Sequence, residues 1–339
     1  MKLIKMSFGM IRKFNRHYRI QLRYLTFSKL VNLLKASKSY LLRETTISSK
    51  PCILKIESSS FCNLRCLGCR TDKSSEFVDG TIPIERYKAI IDELQDSLLE
   101  VVLYLWGEPF INKNLVQMVR YATDKNIGSV ISTNLHFMSE ETAKGLIESK
   151  LDKIIICIDG MDQQTYERIR IGGDHAKVME NLHTLVNVRS ELKSKQPMIE
   201  WQYVLTDFNA HQVPEAKELA KKLGVDEFTI MEDLSPRNFD EALKREKKRN
   251  KNILEKRCPW LWFATNIQWD GKIYPCCHYA RNTNYSVGQV TDDVPFIQSF
   301  NSEQYIQSRR RFSKNPPEVR GKNACYICPF YNTSNSKKE

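Results

Sequence analysis

Cys62, Cys66 and Cys69 stand in the run Cys62-Asn63-Leu64-Arg65-Cys66-Leu67-Gly68-Cys69, a C-x3-C-x2-C spacing directly after a strand-like stretch. No other feature of the 339 residues restricts the fold as much. Three thiolates on one short loop can hold three corners of a cubane iron–sulfur cluster, and such clusters ordinarily take four cysteines. The fourth iron then takes a distant ligand or stays open to a small molecule. The ten cysteines fall in short-spaced groups, and no secretory signal peptide is expected. That pattern favours metal or cluster binding in a reducing cytoplasm over disulfides.

Charge is informative once it is located. The net +12 comes almost wholly from residues 1–50, where twelve Lys/Arg face the single acid Glu44, a surplus of +11. The rest of the chain carries +1, so no nucleic-acid partner is expected. Within the basic extension, Ile11, Phe14, Tyr18, Leu22 and Leu25 recur at helical spacing beside a stripe of Arg12, Arg16, Arg19 and Arg23. This is the pattern of a basic amphipathic helix. Two readings stay open: peripheral contact of residues 1–50 with an anionic membrane, or a helix packed on the body with its arginines solvated.

From Pro51 the chain alternates strands and helices. Strands are expected at Cys52–Glu57, Glu100–Trp106, Ser129–Ser132, Lys153–Ile158, Ile199–Leu205 and Glu227–Met231. Helices fall between them over Ile84–Asp96, Lys113–Lys125, Ser139–Lys150, Gln163–Arg170, His175–Leu192 and Val213–Leu223. Near-continuous apolar strands alternating with helices give an α/β fold with a parallel sheet covered on its outer side. Six βα units over residues 51–232 are fewer than the eight of a closed barrel.

The cysteine loop resembles the signature of radical S-adenosylmethionine (radical SAM) enzymes, whose core fold is a partial (β/α)6 TIM-like barrel. The resemblance implies a [4Fe–4S] cluster on Cys62, Cys66 and Cys69 whose open iron chelates SAM. Further motifs fall in order at successive strand ends, where such sheets bind ligands. Gly107-Glu108-Pro109 resembles the family's GGEP, with Trp106 replacing its first glycine. Ser132-Thr133-Asn134 resembles a TNG segment, with Leu135 where glycine is usual. Asp159-Gly160 belongs to a Ser-x-Asp-Gly-like segment in which Cys157 replaces the serine, and Arg170 is placed to pair with the SAM carboxylate. Gly68 stands where an aromatic residue commonly precedes the third cysteine.

After a charged linker over residues 233–257, with a helical run at Glu241–Lys256, residues 258–339 hold a second cysteine group. A hairpin turning at Asp270-Gly271 carries Cys258 and Cys276 at its outer ends, and Cys325-x2-Cys328 follows. Geometry alone fits a tetrahedral zinc site. The order C-x12-G-x4-C then C-x2-C resembles the SPASM domain. Its truncation after Cys328 resembles the twitch domain of the aminocyclitol dehydrogenase subgroup, which implies one auxiliary [4Fe–4S] cluster on Cys258, Cys276, Cys325 and Cys328. Cys277 is then spare, and with Cys157 it is a candidate catalytic thiol. The resemblance implies reductive cleavage of SAM to a 5′-deoxyadenosyl radical, fed by a flavodoxin- or ferredoxin-type donor. The expected outcome is net oxidation of a small molecule such as a sugar or cyclitol alcohol. The alternatives are thioether formation or epimerisation on a peptide substrate, and a non-enzymatic zinc scaffold.

Overall fold

The structure is a computed structural model that describes residues 19–67, 69, 78–232, 258–277, 280, 282–291, 294–315, 323–326 and 328. The expected stripe members Ile11, Arg12, Phe14, Arg16 and Tyr18, the departure at Gly68, and the charged helix over Glu241–Lys256 lie outside those residues.

Six parallel strands follow in chain order: β1 (Ile53–Ile56), β2 (Glu100–Val102), β3 (Gly128–Thr133), β4 (Lys153–Cys157), β5 (Met198–Leu205) and β6 (Glu227–Glu232). The helix Phe27–Leu42 (α1) precedes them. Between them lie α2 (Ile84–Leu94), α3 (Leu115–Asp124), α4 (Glu140–Glu148), α5 (Gln163–Ile169), α6 (His175–Glu191) and α7 (Val213–Lys222). The chain is thus the mixed α/β partial barrel expected, with each helix start fixed locally where a cap is present. Ser139 Oγ accepts from Thr142 N at 3.1 Å, Asp162 Oδ1 from Thr165 N at 2.8 Å and Asp174 Oδ1 from Lys177 N at 3.1 Å.

Alternation along the strands sorts their side chains into two cores. Leu54, Ile56, Val101, Ile131, Ile154, Ile156 and Trp201 point outward and pack with the helices in one large cluster. Val102, Val130, Ile155 and Cys157 form a small separate cluster on the inner face, with Ile20, Ile53 and Tyr104 against it.

The C-terminal region is joined to this sheet. A short helix, α8 (Trp260–Phe263), leads into β7 (Ala264–Ile267), which runs parallel to β1 in register Ile53↔Ala264 to Ile56↔Ile267. β8 (Lys272–Tyr274) and β9 (Gly288–Gln289) add antiparallel strands, giving the nine-stranded order β6-β5-β4-β3-β2-β1-β7-β8-β9. The expected hairpin therefore continues the barrel sheet. Gly271 makes its turn with φ 88°, and a Cβ there would lie 2.3 Å from Val290 O. Helices α9 (Phe296–Phe300) and α10 (Glu303–Arg310) close this end.

The N-terminal segment corrects the sequence reading. Helical backbone over 19–23 breaks before Thr26, which caps α1 through Lys29 N. Ile20 and Tyr24 turn inward, Arg23 Nη1 pairs with Asp152 Oδ1 at 2.8 Å and Gln21 donates to Glu100, whereas Leu22 is exposed. The expected apolar stripe therefore fails at Leu22, while Leu25 packs against the cluster of Ala36, Cys52 and Leu99 and Arg19 and Arg23 of the basic stripe stay exposed. Asp152 and Glu100 sit where strands begin and supply the partners of Arg23 and Gln21. No helix among the described residues is long and apolar enough to cross a membrane.

Candidate functional site

The cysteine loop leaves β1 at the C-terminal ends of the strands and is held by main-chain bonds from the segment after α5. Arg65 N donates to Ile171 O at 3.0 Å and Leu67 N to Ile169 O at 2.8 Å. Its other flank is the turn after β2, where Glu108 N donates to Phe61 O at 2.8 Å. Gly107 is required there, since a Cβ would lie 2.1 Å from Ser59 O and 2.7 Å from Phe61 O. Burial pushes the Cys62 thiol up to about 11, helped by the charges of Glu108, Cys66 and Cys69 around it. An iron cation at the loop would favour the thiolate instead.

Glu108 is buried and its carboxylate is committed to the chain. Oε1 accepts from Thr133 Oγ1 at 2.8 Å and Phe110 N at 3.2 Å, and Oε2 from Asn134 N at 2.8 Å. Burial raises it to about 7 against the pull of those bonds. The side chain therefore braces the β2 and β3 ends together. Asn134 carries the brace to the loop: Nδ2 donates to Asn63 Oδ1 at 2.8 Å and lies 3.8 Å from Cys62 Sγ. Leu135 adopts φ 65°, the left-handed conformation that glycine supplies in the motif it resembles.

Asp159 and Arg170 form a buried pair. Arg170 Nε donates to Asp159 Oδ2 at 2.5 Å, Asp159 Oδ1 accepts from Val204 N at 2.6 Å, and Arg170 Nη1 is 3.7 Å from Cys66 Sγ. Burial opposes the guanidinium charge, yet Asp159 and Cys66 hold Arg170 well above its ordinary value. Arg168 goes elsewhere and stacks on Phe208 at 4.3 Å. Cys62, Cys66, Gly107, Glu108, Thr133, Asn134, Asp159 and Arg170 are thus one connected network, with Ser132 joined at its edge through a 3.5 Å contact to Cys157 Sγ. Sequence reasoning missed His136, whose Nε2 accepts from Asp174 N at 3.0 Å while Nδ1 lies 3.0 Å from Asn134 Oδ1. Burial lowers its affinity for a proton, and with Nε2 accepting, Nδ1 is left to donate to Asn134 Oδ1 and orient it. Its only sequence signal is its place two residues after the Thr-Asn pair.

Toward the opposite end of the barrel, where the strands begin, lies a cavity of ≈690 Å³ whose lining includes Ile20, Glu100, Tyr104, Lys153, Glu200 and Thr229. Lys153 pairs with Glu200, and Lys55 Nζ lies 4.7 Å from the Tyr104 ring centroid. Tyr104 was also missed. Its hydroxyl is held above its usual range chiefly by burial, then by Cys157, Glu100 and Cys277. Of the two spare thiols, Cys157 of β4 belongs to the inner-face cluster against which Tyr104 packs. Cys52 lies at the opposite end of β1, buried against Ala36 and Leu99.

In the C-terminal group, Cys325 is buried and its thiol is pushed up by burial, then by Cys258, with Cys328 contributing. Cys325 N donates to Asn323 Oδ1 at 2.9 Å, and Asn323 Nδ2 donates to Ser308 Oγ of α10 at 2.9 Å. Pro275, beside Cys276, and Ala324, beside Cys325, line one small cavity of ≈310 Å³. Among the described residues no three His, Cys, Asp or Glu side chains converge as a single ion requires. The donor sets are compatible with cubanes, whose thiolates each bind a different iron.

Comparison with known proteins agrees with this geometry. Residues 56–195 match the model of the radical SAM superfamily, and residues 258–329 match that of the SPASM iron–sulfur cluster-binding domain. The AdoMet-dependent heme synthase of Methanosarcina barkeri is 24% identical over 179 residues, 52% of this chain and 49% of that protein. The chain thus matches about half the length of that relative. The tungsten-containing aldehyde ferredoxin oxidoreductase cofactor-modifying protein of Pyrococcus furiosus is 25% identical over 254 residues, 67% of this chain and 71% of that protein. Among solved structures, Streptococcus suis SuiB bound to its precursor peptide SuiA superposes with TM-score 0.59 at 15% identity, covering 82% of this chain and 70% of that one. The AdoMet-bound anSMEcpe superposes with TM-score 0.57 at 18% identity, covering 80% and 81%. At these identities the structures establish the shared fold.

Proposed function

The chain is a radical SAM enzyme with a SPASM-type iron–sulfur domain, and from that premise we propose that it oxidises a small polar molecule such as a sugar or cyclitol alcohol. The reading is supported by the ≈690 Å³ cavity in the barrel interior, which lies at the strand starts and reaches up to Tyr104, a volume suited to one small ligand. Its lining mixes Val102, Val130 and Ile155 with Tyr104, Glu200 and Lys153, which suits a hydroxylated substrate better than an apolar one.

Cys62, Cys66 and Cys69 would hold the catalytic [4Fe–4S] cluster, and Cys258, Cys276, Cys325 and Cys328 one auxiliary cluster. With SAM bound, the first cluster supplies a 5′-deoxyadenosyl radical for hydrogen-atom abstraction. Gly107 and Pro109 would present main chain to SAM, with Ser132, Thr133 and Asn134 beside them. Glu108 and Asp159 hold that frame, and Arg170 sets charge next to Cys66. Tyr104 lines the cavity, with Lys55 Nζ 4.7 Å from its ring centroid. A flavodoxin- or ferredoxin-type donor would supply electrons in the cytoplasm.

A second reading, peptide modification with net epimerisation, is supported by Cys157 on the inner face of the barrel beside Tyr104, because a thiol there could return a hydrogen atom to carbon. The test is anaerobic reconstitution followed by SAM, dithionite and deuterated candidate alcohols. Deuterium appearing in 5′-deoxyadenosine, with a ketone product, supports oxidation. Solvent deuterium fixed in product carbon supports the thiol reading instead. If the iron-replete protein makes no 5′-deoxyadenosine, both readings fall.

A further inference from the structure

Helix α1 stands outside the βα alternation and is apolar on two faces. Its inner face is occupied: Leu33 and Ala36 pack with Cys52 and Leu99, and Tyr40 meets Trp262 edge-on at 5.5 Å. Its outer face carries Phe27, Leu30, Leu34 and Leu41, which are 82%, 37%, 60% and 66% exposed. Intervals of three, four and seven residues place these four on one stripe. A contiguous exposed stripe of four large apolar side chains marks an interaction surface. Lys35 and Lys38 are exposed beside the stripe, and Phe27–Leu42 contains no Asp or Glu.

We propose that α1 docks the enzyme on an anionic membrane surface. Phe27, Leu30, Leu34 and Leu41 enter the boundary between headgroups and acyl chains, and Lys35 and Lys38 meet lipid phosphates. Charge selects this occupant. Residues 1–50 carry +11, so a second copy laid on the same face would bring like charges together. The chain's own first eighteen residues are no better matched, since they hold five Lys/Arg and no acid. An anionic bilayer offers both an apolar layer and the opposite charge. The docking has an orientation. Lys29 Nζ donates to Asn126 O and Asn32 Nδ2 to Lys50 O at 2.9 Å, so α1 sits where the strands begin. The cysteine loop lies at the other end of the sheet and would face solvent and a soluble electron donor.

The test is co-sedimentation of the full-length, cluster-loaded protein with vesicles of phosphatidylcholine alone or with about a third phosphatidylserine. Anionic vesicles should bind at least about tenfold more tightly than neutral ones, and added salt should weaken the binding. The double variant Leu34→Glu, Leu41→Glu should lose about tenfold or more while keeping its iron and its circular dichroism. Should that variant fold poorly, hydrogen exchange of the unmodified protein decides, because vesicles should slow exchange over 27–42. Equal binding to neutral vesicles, unchanged exchange over 27–42, or full binding by the folded variant overturns the proposal. So does a dimer that the variant dissolves, or faster exchange over 27–42 when residues 2–18 are deleted, since either names another occupant.

Discussion

Arg170 reaches two partners that no other side chain could serve together, Asp159 through Nε and Cys66 through Nη1. Lysine keeps the charge but offers one compact ammonium in place of a planar fork. Arg170→Lys is therefore expected to lower 5′-deoxyadenosine formation about 10- to 100-fold, the usual effect of losing an outer-shell partner of a metal ligand. Its urea midpoint should shift little. Glu100 poses a different question, because its carboxyl is buried at the barrel floor and raised from 4.5 to about 7 by burial. Between those values the folded chain keeps a proton that the unfolded chain has released. The resulting support for the fold is complete in acid and lost as pH rises through about 7. Glu100→Gln, which stays neutral, should match the unmodified protein near pH 4.5 and exceed it by about 2 kcal/mol at pH 8 in urea unfolding. A gap independent of pH would show that Glu100 titrates normally.

Elements were the most legible scale in the sequence. The order of strands and helices followed from apolar runs and caps such as Ser139, because those signals are local. Turns were less legible where tertiary bonds set them. Leu135 sits at φ 65° with its main chain pinned by Thr133 Oγ1 at 2.8 Å and Asn181 Nδ2 at 2.7 Å, and its buried side chain anchors a conformation that leucine disfavours. No local rule predicts that. His136 and Tyr104 escaped for the same reason, since their roles come from segments far away in sequence. Gly107 shows the reverse, a residue whose type is dictated by contact. In Gly107→Ala the added Cβ would meet Ser59 and Phe61 carbonyl oxygens, which are main chain and cannot swing aside. The cysteine loop must shift, so iron retention should fall and turnover drop by about 100-fold. The destabilisation should be only about 1–3 kcal/mol. Iron per chain and the 5′-deoxyadenosine rate check this together, and retained iron with normal turnover would contradict it.

At the scale of the whole molecule, the two cysteine groups are carried by one continuous sheet, a juxtaposition the sequence did not reveal. A hairpin 200 residues downstream was readable from Asp270-Gly271, but its partner strand was not, because β7 pairs with β1 only through the folded topology. The N-terminal segment was legible only in part: Leu25 packs inward and Arg19 stays exposed as its periodicity implies, but the bonds of Gln21 to Glu100 and Arg23 to Asp152 come from residues far away in sequence. Arg309 ties these parts together from a fully buried position, donating to Thr45 O at 3.2 Å, Leu261 O at 3.0 Å and Phe300 O at 2.9 Å. Removing the C-terminal region would uncover the edge of β1 and the partners of Arg309, so truncation cannot separate the roles of the two cysteine groups. A single substitution can. Cys325→Ala removes one thiol next to Cys258 and Cys328 and leaves the loop after β1 untouched. Anaerobic reconstitution should then give about four irons per chain in place of about eight. SAM cleavage should persist, since Cys62, Cys66 and Cys69 remain, while oxidised product disappears. Eight irons retained, or zinc in their place, would remove the second cluster from the mechanism.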